Sequence, residues 1–125
     1  MLQKLLILAL AGGLGTLTRY GLSGFVQWLH GTSFPLGTVI VNIVGCFFVG
    51  LCLTLFENQW SMSGETRLFI LVGFFGAFTT FSALIYETGE LMQSSRWMFA
   101  AANVVFQNIL GFFALFGGIM FGRIF

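Results

Sequence analysis

Four long apolar runs, separated by short polar breaks, constrain this chain more than any other feature. They cover about residues 5–28, 36–56, 67–90 and 97–121. As a helix, each is long enough to cross roughly 30 Å of hydrocarbon. The breaks read HGTSFP, ENQWSMSGE and QSSR. Only 7% of the 125 residues are charged, against about 25% in a soluble domain. So few charges cannot coat a water-facing surface, and lipid must be the solvent for most of it. The expected fold is all-α: an integral membrane protein with four transmembrane helices in a single domain, residues 1–125. Trp28, Trp60 and Trp97 all fall at run ends, where indole favours the membrane interface. Pro35 opens the second run, a position proline tolerates in a first helical turn.

Several function classes drop out early. A net charge of +1 gives no basic footprint for nucleic acid. Cys46 and Cys52 are six residues apart in one helix and cannot pair with each other. A lone His30 without clustered thiols makes no zinc site and no nucleophile–base pair. GLGTLT at residues 13–18 lacks the third glycine and the preceding strand of a dinucleotide loop. An enzyme is therefore not expected. The start MLQKLLILALAGG resembles a signal peptide, but the apolar character continues to Trp28 and favours a retained first span. Lys4, Arg67 and Arg123 oppose Arg96, a weak positive-inside bias compatible with insertion in either direction or in one. Gly118 and Gly122, with Gly12, Gly13 and Gly15, form small-residue faces that let helices approach closely.

Polar residues inside the spans are costly and mark functional paths or protein interiors. Thr16, Thr18 and Arg19 lie in the first span. Thr38 and Asn42 share a face of the second. Thr79, Thr80, Ser82 and Glu87 lie in the third, and Asn103, Gln107 and Asn108 in the fourth. Thr16 and Thr18 can bond their own helix carbonyls. Asn42 cannot satisfy its amide that way. Most of the set donates hydrogen bonds, and Glu87 is the one deep carboxylate, so a path lined by these groups suits a small anion better than a cation.

The stretch GFFGAFTTFSALIYET, residues 73–88, concentrates the problem. Gly76 and the paired Thr79 and Thr80 lower helix propensity. A break in the third helix there, mid-membrane, would free carbonyls for a small cation such as Na⁺ and amides for an anion. Phe78 and Phe81 could present their positive ring edges to an anion, although phenylalanine is abundant throughout, with 17 in the chain.

GGLGTLTRYGLS (residues 12–23), PLGTVIVNIVG (residues 35–45) and GFFGAFTTFS (residues 73–82) together resemble the Fluc (CrcB-like) fluoride channels over nearly the whole chain. The resemblance implies passive fluoride export that relieves fluoride toxicity. It also implies a dual-topology, antiparallel homodimer in the plasma membrane, the inner membrane if the source is bacterial. A structural Na⁺ at the dimer centre would be held by the backbone carbonyls of Gly76 and Thr79. Asn42 would donate to fluoride and Phe81 would supply one ring beside the ions. Thr38, Thr80, Ser82, Asn103 and Gln107 are the other implied pore residues, with Arg19 near an aqueous vestibule and Glu87 near the pore's far end. Gln107 and Asn108 compete for the pore-facing place, and the spacing to Asn103 favours Gln107.

The chain departs from the family's TTFSTFS run. Leu84 stands at the second aromatic position, and Ala83 and Ile85 lack hydroxyls. Phe78 is a candidate substitute ring. Two other functions fit a tetraspan chain. A small multidrug-type transporter needs a carboxylate in the first span, which holds Arg19 instead. A non-transporting tetraspan subunit would show no flux at all.

Overall fold

In the computed structural model, residues 1–58 and 61–125 are described; Trp60 lies outside them. The described residues form helices α1 (Leu2–His30), α2 (Leu36–Asn58), α3 (Gly64–Arg67), α4 (Gly76–Phe78), α5 (Phe81–Gln93) and α6 (Trp97–Gly122), with π-helical turns over Leu68–Phe75 between α3 and α4. Four helical runs are long and apolar enough to cross a membrane: Leu2–His30, Leu36–Asn58, Gly64–Gln93 and Trp97–Gly122. Each extends up to a few residues beyond its apolar sequence run. Trp28 and Trp97 are exposed near span ends.

The helix ends follow local chemistry. Gly31 closes α1 in the left-handed conformation and returns its N–H to the Gln27 carbonyl, a C-terminal arrangement that glycine adopts without steric cost. The Ser63 hydroxyl accepts from Thr66 N–H at the start of α3. Thr80 does the same for Ala83 N–H at the start of α5.

Helical geometry gives way at two residues inside the third span. Thr79 is extended at φ −83°, ψ 158°, and Thr80 at φ −148°, ψ 116°. Gly76 itself stays helical at φ −62°, ψ −31°. The break changes the span's neighbours. The part before it packs on α1, the part after it packs on α6, and α2 touches both.

α2 and α6 share the most extensive contact of any two helices described. Gly50 of α2 lies against the Leu115 backbone, and Gly118 of α6 against the backbones of Phe47 and Leu51. Gly122 faces Thr54. Without a hydrophobic force between helices in lipid, this backbone-to-backbone packing is what association depends on. On α1, Gly15 lies against the Phe74 carbonyl, whereas Gly13 faces open space. The outer surface is strongly apolar, with Leu10, Leu14, Leu17, Phe112, Phe113 and Phe116 all exposed. Such a surface is expected where hydrocarbon replaces water.

Candidate functional site

The polar residues of three spans converge on the extended pair Thr79–Thr80. Asn42 Oδ1 accepts from Thr80 N–H at 2.8 Å. Its Nδ2 donates to the Thr80 carbonyl at 3.1 Å and to Gln107 Oε1 at 2.7 Å. Asn42 thus mimics a neighbouring strand, satisfying a backbone unit that the helix has released. From there Gln107 Nε2 donates to Asn103 Oδ1 at 2.8 Å, and Asn103 Nδ2 to Thr88 Oγ1 at 3.0 Å. The Thr88 hydroxyl ends the series on the Leu84 carbonyl at 2.7 Å. Asn103 is 0% exposed, so its partners are what make its burial tolerable.

Two concave spaces flank this chain of bonds. A groove of about 240 Å³ is lined by Asn42, Cys46, Thr80, Phe81, Leu84 and Gln107 among others. Asn108 also reaches its rim, but its amide donates to Val104 on its own helix at 2.7 Å. A larger cleft of about 570 Å³ shares Thr80 with that groove. Its lining includes Thr16, Arg19, Gln27, Thr38 and Glu87. There the Thr38 hydroxyl donates to Glu87 Oε1 at 2.6 Å. Among the described residues, the second carboxylate oxygen of Glu87 is buried without a donor.

The candidate aromatic residues part company. Phe81 is 74% exposed, whereas Phe78 is 3% and Leu84 5% exposed. Phe78 lines neither space. It stacks on Phe74 at 6.0 Å and meets Phe75 edge-on, inside the bundle. The extended residues turn α5 away from the helical phase of α4, so a three-residue spacing no longer puts Phe78 and Phe81 on adjacent faces. Ser82 sits at the exposed start of α5, 3.3 Å from the Thr80 hydroxyl.

Arg19 braces the break from α1. Its Nε donates to the Ala77 carbonyl at 3.1 Å, one of the acceptors that an uninterrupted helix would cover. Replacing Arg19 by methionine keeps the length and removes the donor. A hydrogen bond to a charged group contributes about 2 kcal/mol, so the thermal midpoint in detergent should fall by several degrees. An unchanged midpoint would remove Arg19 from this role.

Thr88 is a site member with little in its local sequence to single it out. In an apolar helix a threonine often bonds only its own backbone, and Thr88 does so while also accepting from Asn103. Its position four residues after Leu84 is the only available signal.

Four apolar spans with a gathered polar chain define a multi-pass membrane protein with two concavities that share Thr80. Sequence comparison makes the assignment specific. The profile of the family described as CrcB-like protein, Camphor Resistance (CrcB), matches residues 6–119, and the chain belongs to that family. A fluoride-specific ion channel FluC of Desulforapulum autotrophicum is 56% identical over 124 residues, 99% of either chain. One of Solidesulfovibrio magneticus is 49% identical over 124 residues, again 99% of either chain. The protein called fluoride-specific ion channel FluC 1 in Methanosarcina acetivorans is 43% identical over 117 residues, 94% of this chain and 88% of that one.

Proposed function

We propose that this protein is a fluoride channel, which lets the anion leave the cell down its gradient. The observation that carries the reading is the Asn42 clamp on Thr80, a residue that lines both concavities, in a bundle whose outer surface is apolar. Fluoride is small and strongly hydrated, so a path for it must offer hydrogen-bond donors at close range. Asn42, Thr80 and Gln107 bring such donors to one groove. The names of the full-length relatives support the same reading.

A structural Na⁺ fits the backbone at the break. In a continuous helix, Thr80 N–H would cover the Gly76 carbonyl and Ala83 N–H the Thr79 carbonyl. Here Thr80 N–H goes to Asn42 Oδ1 and Ala83 N–H to the Thr80 hydroxyl. Gly76 and Thr79 would hold the ion through these released carbonyls, hard oxygen donors. Bound there, the ion supplies positive charge that offsets their dipoles. A second copy in antiparallel orientation would complete the set, which makes the working unit a homodimer.

Reconstitution tests both parts. Liposomes containing the protein should release fluoride to an external electrode far faster than protein-free liposomes; equal rates would overturn the channel reading. Exchanging Na⁺ for N-methylglucamine on both sides should lower the rate, because an ion that binds the folded break stabilises that state. An unchanged rate would reject the Na⁺ site and leave the channel standing.

A further inference from the structure

The polarity of the hydrogen-bond chain is forced from both ends. Thr80 N–H can only donate, so the Asn42 atom facing it at 2.8 Å is the oxygen. Nδ2 must then face the Thr80 carbonyl and Gln107 Oε1. Gln107 therefore turns its nitrogen to Asn103 Oδ1, and Asn103 turns its own to Thr88 Oγ1. At the far end the Leu84 carbonyl can only accept, which fixes the Thr88 hydroxyl as the donor. Flipping one amide would set donor against donor and acceptor against acceptor at its neighbours.

This polarity has a consequence for an anion. A carboxamide nitrogen carries two hydrogens. Both of those on Asn42 are engaged, one by the Thr80 carbonyl and one by Gln107 Oε1. An anion in the 240 Å³ groove meets no free hydrogen on Asn42, although Asn42 and Gln107 both line that groove. Resting on the fluoride-channel reading, we propose that Gln107 is an internal competitor for the anion. Its Oε1 occupies the Asn42 hydrogen that a passing anion needs, and the anion is admitted only by displacing it. Displacement leaves the Thr80 clamp intact, because the other Nδ2 hydrogen and Oδ1 still hold that residue. A strong acceptor such as fluoride can replace an amide oxygen on this hydrogen. Chloride, a weaker acceptor, cannot do so as readily. Gln107 thereby sets a threshold that favours the more basic halide.

Two substitutions at this position separate competition from simple packing. Gln107→Met keeps the side-chain length and removes the competing acceptor. Gln107→Glu keeps the shape, presents only acceptors to Asn42 and adds negative charge. In liposomes, Gln107→Met should lower the fluoride concentration for half-maximal flux about fivefold, the factor set by one neutral hydrogen bond, and should make chloride flux measurable. Gln107→Glu should raise that concentration or cut fluoride flux at least about tenfold. Gel filtration checks folding, and Gln107→Ala replaces Gln107→Met if the latter is not monodisperse. Variants that shift in the same direction, or a Gln107→Met channel with unchanged fluoride dependence and chloride exclusion, overturn the proposal while the wild type still conducts. A wild type that carries no fluoride overturns the channel reading and this one with it.

Discussion

Asn42→Asp should abolish fluoride flux in liposomes while the protein still folds. Aspartate keeps the oxygen that accepts from Thr80 N–H. Its second oxygen then stands where Nδ2 stood, 3.1 Å from the Thr80 carbonyl and 2.7 Å from Gln107 Oε1. Three acceptors face one another with no hydrogen between them, and the groove gains a negative charge. A unit charge about 5 Å from a fluoride ion costs about 3 kcal/mol at an effective dielectric of about 20. That is more than a hundredfold in anion occupancy, and flux should fall by at least as much. Asn42→Ala removes the donors without adding charge, so its loss should be smaller, about tenfold. The measurement is initial fluoride efflux at matched protein content, with gel filtration to confirm folding. An Asn42→Asp channel conducting within about threefold of wild type would show that Asn42 does not face the anion.

The legible and illegible parts of this site divide along a physical line. Four spans could be read because hydrocarbon tolerates few charges and demands helix length. Asn42, Asn103 and Gln107 could be read because an amide in an apolar run must find a partner, and four-residue spacing put Asn103 and Gln107 on one face. Weak helix propensity pointed to residues 76–80, yet the extended backbone falls on Thr79 and Thr80 while Gly76 remains helical. Glycine permits a break without requiring one. The π-helical turns over Leu68–Phe75 left no trace, since LFILVGFF is apolar at nearly every position and carries no period. Side-chain direction was lost at the same point. Once Thr79 and Thr80 extend, α5 starts with a new phase, and counting from Phe78 no longer tells where Phe81 or Leu84 points. Thr88 was missed because its second bond comes from another helix, which spacing within one helix cannot reveal.

Gly118→Ala should cost more stability than any other single methyl group added to the α2–α6 pair. A Cβ there would run into the Phe47 carbonyl oxygen, 2.8 Å from Leu51 N and 2.9 Å from Phe47 C. All three atoms are backbone, so no side chain can swing aside, and the helices themselves must separate. Overpacking of this kind costs about 3 kcal/mol. Gly50 makes the reciprocal contact with the Leu115 backbone, so separation would loosen both sides of the pair at once. The effect would also reach the site, because the same two helices hold Asn42 and Gln107 at 2.7 Å. Gly13→Ala is the control. Among the described residues nothing lies within 4 Å of a Cβ at Gly13, and alanine is the better helix former by about 1 kcal/mol, so this variant should be neutral or slightly stabilised. Thermal unfolding in detergent should place Gly118→Ala many degrees below wild type and Gly13→Ala at or above it. If the two melt together, α2 and α6 are not held by backbone contact, and the register that joins Asn42 to Gln107 must come from the polar chain alone.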